Sequence, residues 1–205
     1  MTKLSSIDLF GKWADLGRDK GMEEGHSKSV EEMINAVKRR MPKDFTAIDV
    51  GCGNGWAVRK LKEEKNCSHC YGVDGSESMV RKARSTDPEG DYVVGKLPGW
   101  SPPKTVDLVL SMEFIYYLED PLDFFHSLHA DWLSPRGIVV IGLDHYFENK
   151  ASLSWPESLE VDMATMSIAE WALGLKSAGF IDVESFQVNS NDENPGTLVL
   201  LGTRP

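Results

Sequence analysis

Three glycines, each one residue apart, follow an apolar run and an aspartate in "TAIDVGCGNGW", residues 46–56. A glycine loop at the end of a strand lets bare backbone approach a ligand, and the helix after it presents unpaired N–H groups. A dinucleotide loop needs its third glycine five residues after the first, so that the helix can pack on the strand. That position holds Trp56. The spacing of Gly51, Gly53 and Gly55 therefore suits a ligand group other than a pyrophosphate, and the indole counts against an NAD-dependent oxidoreductase. Asp74 ends the next apolar run, 19 residues beyond Gly55. A carboxylate there can accept two hydrogen bonds from a ribose diol, which fits any adenosine-bearing cofactor; the plain alternative is a cap on the helix that starts near Ser76.

Cys67 and Cys70 form a CxxC with His69 between them, but no second pair stands elsewhere to complete a four-ligand zinc site. The plain reading is two thiols in a connecting loop, and no metal site is expected.

The elements that must position these residues alternate. "FTAIDV" reads as a strand, "NGWAVRKLKEE" as a helix on a sheet, "CYGVD" as a second strand and "SESMVRKARS" as a helix capped by its first serine. "DYVVG" and "TVDLVLS" are strands three and four, separated by a proline-rich loop. "DPLDFFHSLHADWL" starts a helix at Asp120 and Pro121, "GIVVIGLD" is strand five, and "SIAEWALGLKSAGF" carries a capping box from Ser167 to Glu170. "IDVESFQV" and "GTLVLLGTR" close the chain as a hairpin. Alternation of this kind implies a doubly wound α/β sheet with an antiparallel addition, and ligands in such sheets bind beyond the carboxyl ends of the strands.

A length of 205 residues suits one domain burying roughly 70% of its unfolded surface. We read residues 1–205 as that domain, with 1–40 a helical lid segment and 41–205 the core. Lys and Arg number 22 against 32 Asp and Glu, a formal charge of -10, so nucleic acid is not expected as a partner unless another subunit helps. The basic "KRRMPK", Lys38 to Lys43, is the one local exception, and a solvated helix end explains it equally well. No apolar run reaches the roughly 20 residues of a membrane span, the N-terminus lacks the pattern of a signal peptide, and three cysteines are an odd count. The expectation is a cytoplasmic protein with a small-molecule substrate and no membrane partner. Oligomeric state is not legible.

With these motifs in order, the sequence resembles the class I S-adenosylmethionine-dependent methyltransferases, in particular their small-molecule type. "IDVGCGNGW" looks like their first motif, "YGVDGSESMVRKAR" their second, "VDLVLSMEFIYYLEDP" their strand-four motif, and "LSPRGIVVIG" is similar to the strand-five motif. The resemblance implies a seven-stranded Rossmann-like sheet in order 3-2-1-4-5-7-6 with strand seven antiparallel, and S-adenosyl-L-methionine as cofactor with S-adenosyl-L-homocysteine as product. It implies that Gly51, Cys52, Gly53, Asn54, Gly55 and Trp56 lie at the methionine part, with Asp49 at its ammonium. Asp74 would take the ribose hydroxyls, and Gly75, Ser76 and Met79 would flank the adenosine. Ser111, Met112 and Glu113 would border the cofactor and its methyl group. Relatives often carry an acid after strand three, where this chain has "VVGKLPGW", so adenine recognition at Lys96 and Leu97 falls to backbone and packing. Arg18 and His26, in the lid-like stretch, could meet the cofactor carboxylate.

Methyl transfer needs alignment of a nucleophile and, for a hydroxyl or acid acceptor, a base beside strand four or five. Tyr116, Tyr117 and His145, with Asp144 next to it, are the candidates; each is also a plain packing residue. The Asn-Pro-Pro-Tyr-like motif of enzymes acting on exocyclic amines is absent, as is the metal cluster of catechol methyltransferases. "ENKASLSWPESLEVDM", residues 148–163, is the longest stretch between elements and a candidate specificity loop around Trp155. The alternatives are an RNA or protein acceptor with a small partner subunit, and a cofactor-binding protein without turnover.

Overall fold

A computed structural model describes residues 3–41, 44–192 and 194–205. The last two residues of the basic run, Pro42 and Lys43, lie outside the described residues. Two helices lead, α1 (Ser6–Asp15) and α2 (Lys20–Lys38), followed by β1 (Phe45–Val50), α3 (Trp56–Lys62), β2 (Cys67–Asp74), α4 (Glu77–Thr86) and β3 (Asp91–Val94). Next come β4 (Val106–Met112), α5 (Pro121–Ser127), β5 (Leu133–Leu143), the short α6 (Trp155–Ser158), α7 (Ile168–Ser177), β6 (Ile181–Val188) and β7 (Thr197–Thr203). The strands form one seven-stranded sheet in the order β3-β2-β1-β4-β5-β7-β6, with β7 antiparallel to both β5 and β6. This is the doubly wound sheet that the sequence implied.

Both faces of the sheet are covered because successive strand residues point to opposite sides. One face packs Ile48, Val50, Val109 and Ile141 against Phe124, Phe125 and Trp171. The other packs Ala47, Leu108, Leu110 and Val140 against α2 and α3. Helix α2 supplies Val30, Met33, Ile34 and Val37, an i, i+3, i+4, i+7 stripe that fixes its face toward the sheet. Local capping follows the sequence: Ser76 Oγ accepts from the Met79 N–H, Asp120 from the Asp123 N–H, and Ser167 with Glu170 forms the capping box.

Three boundaries differ from the sequence reading. Strand β2 begins at Cys67, so the CxxC lies in a strand rather than a connecting loop; register with β1 shifts after Phe45, which lets the pairing extend. Cys67 and Cys70 are free thiols. Strand β5 starts four residues before Gly137, across an irregularity between Val106 and Leu108. The 148–163 stretch is not bare loop: a 3-10 turn over Lys150–Ser154 runs directly into α6.

Candidate functional site

The glycine loop leaves the carboxyl end of β1 at the centre of the sheet, where strand order reverses between β1 and β4. Gly51, Gly53 and Gly55 all have positive φ, at 77°, 52° and 78°. They differ in surroundings. A Cβ on Gly51 would meet Phe114 carbons at 2.5 and 2.7 Å, and one on Gly55 would meet the Tyr92 ring, whereas one on Gly53 would meet only Met79 Sδ, at 3.9 Å. Gly53 is thus the glycine open to a ligand. The Asp74 carboxylate accepts from the Gly53 N–H at 2.9 Å and from the Ser76 N–H at 2.8 Å, tying the loop to the start of α4.

Asp49 is 2% exposed at the end of β1 and pairs with no cation among the described residues. Burial, reinforced by the nearby Asp74 charge, pushes its carboxyl up to about 8. Burial also raises Asp74, against the pull of its two backbone donors. Two small cavities adjoin the loop. One is lined by Met22, His26, Gly51, Gly53, Trp56 and Glu113, the other by Ile7, Phe10, Asp74, Gly75, Met79 and Tyr117. Residues of α2 line both and residues of α1 line the second, and this cover is fastened: Asp19 accepts from Asn54 Nδ2 at 2.7 Å and pairs with Lys82.

A larger cavity of about 400 Å³ opens beside them, walled by Phe10, Trp13, Tyr116, Tyr117 and Trp155. Glu113 and Met22 line this cavity and both cavities at the loop. Glu113 holds a φ of 55°, a costly conformation for a side chain with a Cβ, and its carboxylate accepts from Tyr116 Oη at 2.6 Å and from the Asp144 N–H. Burial, then the Asp144 charge, lifts Glu113 to about 7. His26 donates from Nδ1 to the Met22 carbonyl at 2.7 Å and faces Asp144 through Nε2 at 3.3 Å. Burial opposes its charge, but the Asp144 hydrogen bond and the Glu113 and Asp144 charges outweigh it and raise the imidazole to about 9. A cavity of about 940 Å³ lies at the opposite end of the sheet around Asp107, Pro135 and Arg136. It is far from the carboxyl ends of the strands and has no part in this site.

A family model described as "Methyltransferase domain" matches residues 48–141. Trans-aconitate 2-methyltransferases of Escherichia coli are 28% identical over 106 residues, 51% of this chain and 41% of theirs, so the match spans about two fifths of those curated relatives. A chain of the complex between the Haloferax volcanii Trm112 methyltransferase activator and the putative methyltransferase is 31% identical, with a TM-score of 0.80 over 96% of this chain and 97% of that one. The chain belongs to the class I S-adenosylmethionine-dependent methyltransferases. A possible histamine N-methyltransferase of Thermotoga maritima shares the fold, with 19% identity and a TM-score of 0.72 over 97% of this chain and 99% of that one.

The residues present fit the cofactor of this methyltransferase family. The open face of Gly53 accommodates close approach, Asp49 is a buried carboxyl with no cation beside it among the described residues, and each Asp74 oxygen retains a lone pair after its backbone bond. Of the sequence candidates, Cys52, Asn54, Trp56, Gly75, Met79, Met112 and Glu113 also line the two loop cavities. Ser76 sits just outside, capping α4, and Ser111 turns away to donate to the Val50 carbonyl at 2.9 Å. Lys96 is exposed and Leu97 packs on the core, both beyond the loop cavities. Arg18 is exposed as well. Phe10, Trp13, Met22 and Phe114 are additions from the fold. The only signal for the first two was their three-residue spacing on an amphipathic helix.

Tyr116, Tyr117 and His145 are brought close together, but only the tyrosines reach a cavity. Burial raises both phenols far above neutral pH, so they keep their protons. His145 is fully buried; its Nδ1 donates to the Ser152 carbonyl at 3.0 Å and its Nε2 accepts from Thr165 Oγ1 at 2.8 Å. Burial lowers its pKa, so the ring is neutral and both nitrogens are committed. His145→Ala is expected to destabilise the fold by about 2–4 kcal/mol, through a cavity and two unpaired partners, measured as a shift in denaturant midpoint. The affinity for S-adenosylhomocysteine should stay within about twofold, well under the roughly 1.4 kcal/mol that tenfold represents.

Proposed function

We propose that this chain transfers a methyl group from S-adenosylmethionine to a small organic acceptor. The observation that supports this best is the shared wall: Glu113 and Met22 border the aromatic cavity and both glycine-loop cavities, and Phe10 and Tyr117 border the aromatic cavity and one of them. Donor and acceptor would meet at that wall. The cofactor, when bound, supplies a methyl carbon already activated by the positive charge on its sulfur. Asp49 holds the ammonium end, Gly51 and Gly53 bring backbone against the methionine part, and Asp74 accepts from the ribose hydroxyls. Gly75 and Met79 flank the adenosine. Residues 1–40 act as a lid on a core formed by the rest of the chain, and α1 and α2 keep water out, which makes alignment the main catalytic task. Cytoplasmic location, which the odd cysteine count fits, belongs to the same proposal; no helix among the described residues is long and apolar enough to cross a membrane.

One comparison favours a second feature, assembly with a small activator protein, since the 31% identical chain is recorded in such a complex. The trans-aconitate of the curated relatives fits this chain poorly as an acceptor, because among the described residues neither Lys nor Arg lines the aromatic cavity. Calorimetry with S-adenosylmethionine, S-adenosylhomocysteine and NAD tests the donor. Binding of NAD alone would overturn the reading. A screen of metabolites and tRNA with methyl-labelled cofactor, with and without a Trm112-type subunit, tests the acceptor, and label found only in RNA would overturn the small-molecule choice.

Cofactor affinity should depend on pH with a definite sign. Asp49, lifted to about 8, is mostly protonated in the free protein at neutral pH and must ionise to hold an ammonium. Affinity is therefore expected to rise by up to about tenfold per unit from pH 6 toward 8, with close to one proton released on binding. Calorimetry in buffers of different ionisation enthalpy measures that proton.

A further inference from the structure

The aromatic cavity carries information about the acceptor that the glycine loop does not. Its walls are five rings, Phe10, Trp13, Tyr116, Tyr117 and Trp155, drawn from α1, the segment after β4, and α6. Phe10 meets Trp13 and Tyr117 edge to face, with ring centroids 5.3 and 5.2 Å apart, so the wall is a packed array rather than scattered side chains. At its inner end, where it joins the loop cavities, stands the Glu113 carboxylate. Ring faces present negative charge density, and a carboxylate at the end of such a wall completes the surroundings that attract an organic cation.

The charge balance points the same way. Among the described residues His26 is the one titratable base on the cavity wall, and its charge is matched by Asp144 across 3.3 Å. Glu113 is the surplus anion. It faces Asp144, His26 and the Tyr116 hydroxyl, and it is held in place by its own left-handed backbone and by the Asp144 N–H. An anionic acceptor would meet this carboxylate with no free cation to offset it; a neutral alcohol would gain little from it.

We infer that the acceptor is a primary or secondary amine, bound as its ammonium against the rings with Glu113 as its counter-ion and proton acceptor. This rests on the methyltransferase reading above. The ammonium gives one proton to the Glu113 carboxylate and becomes an amine. The nitrogen lone pair forms the new bond to the methyl carbon as the carbon–sulfur bond breaks, and that electron pair stays on sulfur. The product leaves as a methylated ammonium, and Glu113 returns its proton to water. A carboxyl that titrates near neutrality suits both halves of this exchange. Aliphatic amines differ here from the conjugated exocyclic amines that the missing Asn-Pro-Pro-Tyr-like motif disfavours, since deprotonation alone frees their lone pair.

The test uses the full chain and three probes of similar shape: phenethylamine, 2-phenylethanol and 3-phenylpropionate. Binding is measured by calorimetry with S-adenosylhomocysteine present, and methylation by a 14-dalton mass gain with S-adenosylmethionine. Phenethylamine is expected to bind at least tenfold more tightly than the alcohol, with no binding of the acid. Glu113→Gln should erase that preference, and Trp155→Leu, away from the loop cavities, should weaken amine binding at least fivefold while S-adenosylhomocysteine affinity holds. Preference for the alcohol or the acid would overturn the inference, as would probe binding that appears only with a divalent cation and vanishes with a chelator. His26, Glu113 and Asp144 have ligand atoms within 4.8 Å of one another, so the chelator arm is needed. Binding of S-adenosylhomocysteine without any amine binding sinks the amine inference alone; loss of both sinks the methyltransferase reading as well.

Discussion

Replacing Asp74 with alanine is expected to weaken binding of S-adenosylmethionine and S-adenosylhomocysteine by roughly two to four orders of magnitude. Two hydrogen bonds from a ribose diol to a carboxylate contribute about 1.5–3 kcal/mol each, and about 1.4 kcal/mol is tenfold in affinity. The same substitution strands the Gly53 and Ser76 N–H groups, which the carboxylate accepts at 2.9 and 2.8 Å. The loop then loses its tie to α4, so the thermal midpoint should fall as well. Asp74→Asn separates the two effects. Its amide oxygen can accept one backbone bond but carries no charge, so most of the stability should return and only part of the affinity. Calorimetry and thermal unfolding on the pair of variants measure this, and an unchanged affinity in Asp74→Ala would remove the ribose assignment.

The second large effect divides the glycines. Gly51→Ala is expected to destabilise the protein by about 2–5 kcal/mol, from left-handed backbone strain of about 1–2 kcal/mol and overpacking of about 1–3 kcal/mol. Its φ is 77° and its new Cβ would press on Phe114 at 2.5 Å, a side chain packed against the core. Gly53→Ala has the strain, at a φ of 52°, but its Cβ meets only Met79 Sδ at 3.9 Å. It should cost only about 1–2 kcal/mol of stability. The methyl instead occupies the face open to the cofactor, so Gly53→Ala should lower cofactor affinity at least tenfold while folding survives. Denaturant unfolding ranks the stabilities, and calorimetry on the folded variants ranks the affinities. Equal stability losses would show that the two glycines do not differ in the way their surroundings indicate.

Much of this site is written in short stretches of sequence. The break from "FTAIDV" into "GCGNGW" placed the loop at a strand end, and the missing third glycine at Trp56 excluded the dinucleotide spacing. Asp74 was legible from its place at the end of the next strand. Those features are local, because strand periodicity, capping and glycine spacing all act within about ten residues. The alternation of strands and helices then restricts how the sheet can be wound, and the observed order follows the one implied by the motifs.

The proton-bearing groups were another matter. His145 looked like a base beside strand five, yet the turn after β5 buries it and uses both nitrogens, while its neighbour Asp144 reaches His26. Nothing in "GLDHYF" distinguishes those outcomes, since adjacent residues leaving a strand diverge and packing alone selects which faces inward. His26, Glu113 and Asp144 lie far apart in the chain, and the five rings of the aromatic cavity come from three separate segments. Such convergence leaves no periodic signal. By itself the sequence determined the fold class, the glycine loop and the carboxylates at its strand ends, because each is set by local backbone geometry. Only the tertiary structure decided which charges meet, which histidine is spent on packing, and that a carboxylate lines both the glycine-loop cavities and an aromatic pocket, because contacts between distant segments exist only once the helices have docked on the sheet.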